Sequence, residues 1–318
     1  MKLETSQDYL NGILKKNRSV LGQAITLVES KNSKHQIIAR ELIQKILPLT
    51  GKAKRVGISG TPGVGKSTFI ENFGMFLIQK KMDVAVLAVD PTSQKTGGSI
   101  LGDKTRMEHL SSSDHAFIRP SPSGDTLGGI TAKTREALLL CDAFGFDYIL
   151  VETVGVGQSE ISVSHLTDMF ILLMQPGAGD ELQGIKRGIL EVSDLVLINK
   201  ADGDHKKQAT LSQHDYQKSI EVLQHEKEWQ TKVLLCSALE KQGFKEIHLL
   251  IDDFYKKFDL KKRSDQLENW LKDILLDLFK TKLSQLTSLE TMVGKVSSGE
   301  VDIISASDHL YKEIMENK

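Results

Sequence analysis

The stretch GISGTPGVGKST, residues 57–68, decides how this chain folds. Gly60, Gly65, Lys66 and Ser67 fit the spacing G-x-x-x-x-G-K-[ST], with Gly63 inside it. An apolar run, RVGIS at 55–59, precedes the glycines, and a stretch carrying Phe69, Ile70, Phe73 and Phe76 at helical spacing follows them. A strand that enters a glycine loop and leaves as a helix is a phosphate cradle. The glycines let backbone N–H groups converge on an anion, and the helix N-terminus adds positive potential. Lys66 then reaches the β and γ oxygens, and Ser67 offers its hydroxyl to Mg²⁺. Gly60, Gly63, Val64, Gly65, Lys66, Ser67 and Thr68 are the expected phosphate contacts. A merely flexible loop would need neither the lysine and hydroxyls nor these flanks.

Outward from this loop, six further short apolar runs end in polar residues: DVAVLAVD (83–90), AFIRP (116–120), DYILVE (147–152), DMFILLMQ (168–175), LVLINK (195–200) and KVLLCSA (232–238). Their unbroken apolar character suits strands buried on both faces, and the amphipathic stretches between them suit crossover helices. The expected fold is α/β, a P-loop NTPase with a mainly parallel central sheet spanning residues 51–258. Residues 1–50 form an N-terminal helical extension, with Leu21, Ala24, Ile25 and Val28, then Ile38, Leu42, Ile43 and Ile46, on helical stripes. Residues 259–318 carry another stripe, Leu267, Trp270, Leu271, Ile274, Leu275, Leu278 and Phe279. That stripe either packs on its own domain or forms an arm that pairs with a second subunit; the expectation adopted is a C-terminal helical dimerisation region.

Composition narrows the partners. The 318 residues carry a net charge of −1 and no long basic tract, so nucleic acid is not an expected partner. The N-terminus lacks the apolar core of a signal peptide, and the longest apolar run, MFILLM at 169–174, is far below the roughly 20 residues of a membrane span. A cytoplasmic protein with no membrane partner is expected. The two cysteines, Cys141 and Cys236, suit buried small hydrophobes rather than a disulfide.

The base is read from NKAD, residues 199–202, at the end of the LVLI run. In the matching GTPase motif the Asp202 carboxylate accepts from guanine N1–H and the 2-amino group, neither of which adenine offers. Asn199 holds the loop and Lys200 lies along the purine face. Ser237, Ala238 and Leu239 follow the next strand, with the Ala238 N–H expected to serve guanine O6. Together these favour GTP over ATP, because a site built for those donors rejects a base lacking them.

The hydrolytic centre is less determined. In VETVGVGQSE, residues 151–160, Glu152 and Gly155 stand where P-loop proteins carry a carboxylate and a γ-phosphate-sensing glycine. Val156 follows, where small GTPases often have a water-positioning glutamine, so another carboxylate, Gln158 or an outside partner has to assist. Asp90, ending its strand, and Asp103, in TGGSILGDKTRM at 96–107, are further candidates. Coordination of Mg²⁺ and orientation of the attacking water are the roles open to Asp90, Asp103 and Glu152, and spacing alone does not distribute them.

With GTPGVGKST, AVDPTSQKTGGSILGDKTRM, VETVGVGQSE, QPGAGDELQGIKRGILE (175–191) and NKAD in view, nearly the whole chain resembles the methylmalonyl-CoA mutase-associated GTPases of the MeaB/ArgK type, relatives of the cobalamin-disorder A protein. The resemblance implies a homodimeric GTPase that attends an adenosylcobalamin-dependent acyl-CoA mutase, gating cofactor delivery and protecting or reactivating the mutase. It implies phosphate and Mg²⁺ roles for Lys66 and Ser67, the metal and hydrolytic centre for Asp90, Asp103 and Glu152, and guanine recognition for Asn199 and Asp202. It also makes PGAGDELQGIK an additional switch, with Lys186 as its signal-carrying cation. The alternatives are an ATP- or GTP-dependent kinase or amino-acid transport ATPase, whose use of ATP NKAD opposes, and a nickel-inserting GTPase, which the nine scattered histidines and the lack of a Cys-Pro-Cys or Cys-Pro-His site oppose.

Overall fold

The computed structural model describes residues 3–89, 107–121, 127–153, 158–177, 187–224, 229–258 and 261–316. Each of the seven apolar runs forms a strand: β1 (Lys54–Gly60), β2 (Val84–Val89), β3 (Ala116–Ser121), β4 (Tyr148–Thr153), β5 (Met169–Met174), β6 (Leu195–Ile198) and β7 (Lys232–Leu235). They pair in the order β3-β2-β4-β1-β5-β6-β7, every pair parallel. Strands β4 and β5 are buried at all six positions, as expected of strands covered on both faces. β1 lies between β4 and β5, where chain order reverses across the sheet. Loops at the carboxyl end of β1 therefore open into the crevice where such sheets bind ligands.

Register carries the chemistry to that crevice. Ile58 of β1 pairs with Glu152 of β4, and Gly60 pairs with Leu173 of β5, so Glu152, one residue before the end of its strand, lies beside the glycine loop. Helix α4 (Lys66–Gln79) leaves the loop and buries Phe69, Ile70, Phe73 and Leu77. Phe69 and Phe73 stack at 5.2 Å, and Phe244 meets them edge-on at 5.8 and 5.6 Å. Phe244 begins helix α10 (Phe244–Lys257), so this aromatic cluster seats α10 next to α4.

Three helices precede the sheet: α1 (Ser6–Leu14), α2 (Arg18–Glu29) and α3 (Ser33–Ile46). Thr5 and Asp8 form a capping box on α1, and Asn17 and Asn32 cap the next two, satisfying N–H groups that helix starts leave open. Their apolar stripes pack on one another and on α6 (Leu127–Phe144), which follows the short α5 (Glu108–Ser112) and β3. Arg119 of β3 donates to Glu29 at 2.8 Å, and Lys133 of α6 donates to the Val28 carbonyl. Burial raises the Glu29 carboxyl above its ordinary range, with the Arg119 charge opposing. The first fifty residues are thus part of the same compact unit as the sheet, residues 1–263. Helices α7 (Gln158–Ser164), α8 (Arg187–Val192) and α9 (Lys206–Leu223) complete its described helical elements, together with two short 3₁₀ turns.

The second unit, residues 264–318, holds most of α11 (Lys261–Ser284) with α12 (Ser288–Ser297) and α13 (Ile303–Glu316). Within it Ala306 and Ile314 are buried, Phe279 lies 6.3 Å from Tyr311, and Ser288 donates to Glu313 at 2.6 Å. The first unit extends to Arg263 for an electrostatic reason. Arg263 grips the fully buried Asp168 with Nε at 2.9 Å and a terminal nitrogen at 2.7 Å, while Lys262 donates to the Asp168 carbonyl. Such a two-pronged guanidinium pair fixes orientation as well as charge.

At the opposite end of the sheet from the glycine loop, His248 of α10 shares a 3.1 Å hydrogen bond with Tyr148 and stands 3.6 Å from Asp252. Burial holds its pKa below 6.5; Asp252 opposes this, and the charges of Lys54 and Lys80 add to it. A depressed folded-state pKa means that the unfolded chain takes up the proton first, so the stability is present above the ordinary histidine value and lost as pH falls below it. Chemical denaturation at pH 7.5 and 5.5 is expected to show the native protein losing more stability than His248→Gln. Equal losses would exclude His248 as their source.

Candidate functional site

The glycine loop has the backbone that only glycine tolerates at its two ends. Gly60 has φ +151°, and a Cβ there would lie 2.4 Å from the Leu173 carbonyl oxygen. Gly65 has φ +96°, and a Cβ there would meet the Asn199 amide at 2.7 Å. Side chains at these positions would therefore collide with the β5 backbone or push the base loop away.

Lys66 opens α4 and is buried. Its ammonium donates to the carbonyls of Gly60 at 2.6 Å and Thr61 at 3.2 Å, spanning the loop. Beside it, the Ser67 hydroxyl donates to Glu152 Oε1 at 2.9 Å. A hydroxyl and a carboxylate side by side next to a phosphate loop are the hard oxygen donors that Mg²⁺ selects, so these residues fit that ion. Just behind them Thr153 donates to Ser59 at 2.9 Å, joining the ends of β4 and β1.

The base loops converge on the same place. Asn199 donates to the Val64 carbonyl at 2.8 Å, and its side-chain oxygen accepts from the Ala238 N–H at 2.9 Å and, more weakly, from the Cys236 thiol at 3.6 Å. Burial pushes the Cys236 thiol up to about 12 and raises Cys141 as well, so both are inert, protonated core groups. Lys200, at φ +58°, donates to the Gly63 carbonyl at 2.8 Å. Ser237 accepts from the Glu240 N–H at 3.0 Å and donates to Asp202 Oδ2, so one carboxylate oxygen is held by the neighbouring loop.

These segments line a cleft of about 360 Å³, formed by Gly65, Thr68, Asn199, Lys200, Asp202, His205, Ala238 and Leu239. Phosphate-loop and base-loop residues thus share one concavity. The Ala238 N–H, expected to serve guanine O6, is committed here to Asn199. Asp90, Asp103, Gly155 and Lys186 lie outside the described residues. Two residues were not anticipated. His205, three positions past Asp202, lines the cleft, and Asn72 of α4 donates to the Ala238 carbonyl at 3.0 Å. No motif marks Asn72; only the packing of α4 against the base loop reveals it.

The model of one protein family, described as methylmalonyl Co-A mutase-associated GTPase MeaB, matches residues 21–288. The chain belongs to this family of GTPases. A relative in Escherichia coli strain K12, GTPase ArgK, is 53% identical over 237 residues, covering 74% of this chain and 72% of that protein. The mitochondrial methylmalonic aciduria type A homolog of Mus musculus is 43% identical over 321 residues, covering 95% of this chain and 77% of its own. Among solved structures, one described as an LAO/AO transport system kinase superposes with a TM-score of 0.75 at 35% identity, covering 99% of both chains. Membership of the MeaB family agrees with the parallel sheet and with the phosphate and base loops found in one cleft. Among the described residues, no helix is long and apolar enough to cross a membrane.

Proposed function

We propose that this GTPase binds Mg²⁺–GTP in the cleft and couples its hydrolysis to the loading, protection or reactivation of an adenosylcobalamin-dependent acyl-CoA mutase in the cytoplasm. Family membership over most of the chain carries this reading. The phosphate chain is held by the loop N–H groups and Lys66. Ser67 and Glu152 would hold Mg²⁺, which supplies charge neutralisation across the β and γ oxygens. Asp202, steadied by Ser237, selects guanine, while Asn199 and Lys200 keep the base loop against the phosphate loop. The resemblance assigns Asp90 and Asp103 to the same metal and water-orienting centre, Gly155 to γ-phosphate sensing and Lys186 to the signal between switch and partner. The solved relative's description as a transport system kinase fits the alternative in name, while a cleft whose base loop presents Asp202 favours GTP over ATP as the nucleotide.

The same reading makes the protein a homodimer through residues 259–318. Leu267, Leu271, Leu275 and Leu278 of α11 remain exposed on the single chain, an apolar row of the kind that subunit contacts cover.

A partner accelerates hydrolysis only if it favours the reactive arrangement over the resting one. GTP turnover is therefore expected to rise by about tenfold or more on adding purified methylmalonyl-CoA mutase, a barrier change of about 1.4 kcal/mol. Lys186→Ala is expected to lower that stimulation more than the basal rate. An unchanged rate with the mutase present would sink the coupling.

A further inference from the structure

We infer that Asn72 is a positioning residue for guanine recognition, acting through the backbone of Ala238; this rests on the guanine-site reading above. Asn72 lies on α4, the helix that leaves the phosphate loop, and its side-chain amide donates to the Ala238 carbonyl at 3.0 Å. On the other side of that residue, the Ala238 N–H donates to Asn199 Oδ1 at 2.9 Å. Asn199 returns to the phosphate loop through its 2.8 Å bond to the Val64 carbonyl. The bonds close a ring: phosphate loop, Asn199, Ala238, Asn72 and α4, which begins at the phosphate loop.

Closure of this ring has a consequence that no single bond has. Ala238 is buried and tethered at both its N–H and its carbonyl, so the loop carrying Ser237, the partner of Asp202, is held before any base arrives. Ordering that loop does not then draw on the binding energy of the nucleotide. Asn72 meets neither the base nor the phosphates in this role. Its removal leaves a buried carbonyl without its donor and lets the base loop move, while the lysine and N–H groups of the phosphate loop stay in place.

Affinity that depends on the base is therefore separable from affinity that depends on phosphates. Asn72→Ala and the isosteric Asn72→Asp, which lacks the donor, are to be compared with the unaltered full chain. GDP and inorganic tripolyphosphate, each with Mg²⁺, are the two probes in calorimetric titrations. The expected result is a Kd for GDP raised about tenfold in both variants, with that for tripolyphosphate changed less than about twofold. In turnover assays the loss is expected in KM for GTP more than in kcat. Unchanged GDP affinity in both variants would overturn the proposal, and so would equal weakening of GDP and tripolyphosphate, which would mean that Asn72 only supports α4. Asp202→Asn in the same titrations separates the two readings. If it moves preference from GDP to XDP while the Asn72 variants are inert, only the Asn72 role fails; if it moves nothing, the guanine assignment fails.

Discussion

Replacing Asp202 by Asn is expected to turn a cleft that prefers GTP into one that prefers XTP, shifting the ratio of the two affinities by about 10³-fold or more. The size follows from counting donors. A carboxylate at 202 accepts from both N1–H and the 2-amino group of guanine, and losing one of two such partners in a desolvated site leaves a polar atom unpaired. Xanthine carries a carbonyl where guanine has the amine, so it needs a donor there. Ser237 determines which way the new amide turns. Its hydroxyl accepts from the Glu240 N–H and donates to the side chain at 202, so it favours the amide oxygen on its own side and leaves the NH₂ for the base. Competition binding with GTP, XTP and ATP measures the exchange. If the unaltered protein binds ATP as well as GTP, or the variant gains nothing for XTP, Asp202 does not read the base.

Much of this arrangement is legible in the sequence, and the reasons differ between elements. The seven apolar runs became the seven strands of the sheet because burial on both faces leaves an unbroken local signature. The phosphate loop was legible because its backbone demands glycine at Gly60 and Gly65, a demand written directly in residue identity. Strand order was not, since β1 meets β4 and β5 through contacts that no local pattern encodes. The same limit hid the grip of Arg263 on Asp168, 95 positions earlier, which draws the start of α11 into the first unit. It also hid Asn72, whose bond to Ala238 spans 166 positions. The Ala238 N–H was assigned to guanine by motif, whereas the folded chain gives it to Asn199, because a buried backbone donor takes the partner its own loops supply. Guanine O6 would then share that donor or displace Asn199 from it.

Lys66→Ala is expected to lower kcat/KM for GTP by about 100-fold or more, the scale on which one preorganised charged donor acts on developing phosphate charge. Two effects are mixed in that number, and the structure separates them. The ammonium is buried and spans the loop through the Gly60 and Thr61 carbonyls, so its loss both removes a phosphate contact and slackens the cradle. Slackening alone would weaken GDP and GTP alike, since both use the loop N–H groups. The charge acts further on the γ-phosphate, which only GTP carries, and most strongly as charge develops in the transition state. Affinity for GTP is therefore expected to fall more than affinity for GDP, and single-turnover hydrolysis at saturating GTP to fall further still. Titration with both nucleotides, followed by single-turnover rates, resolves the three quantities. Equal losses for GDP and GTP with an unchanged hydrolysis rate would reduce Lys66 to a brace for the loop and leave the γ-phosphate to other cations.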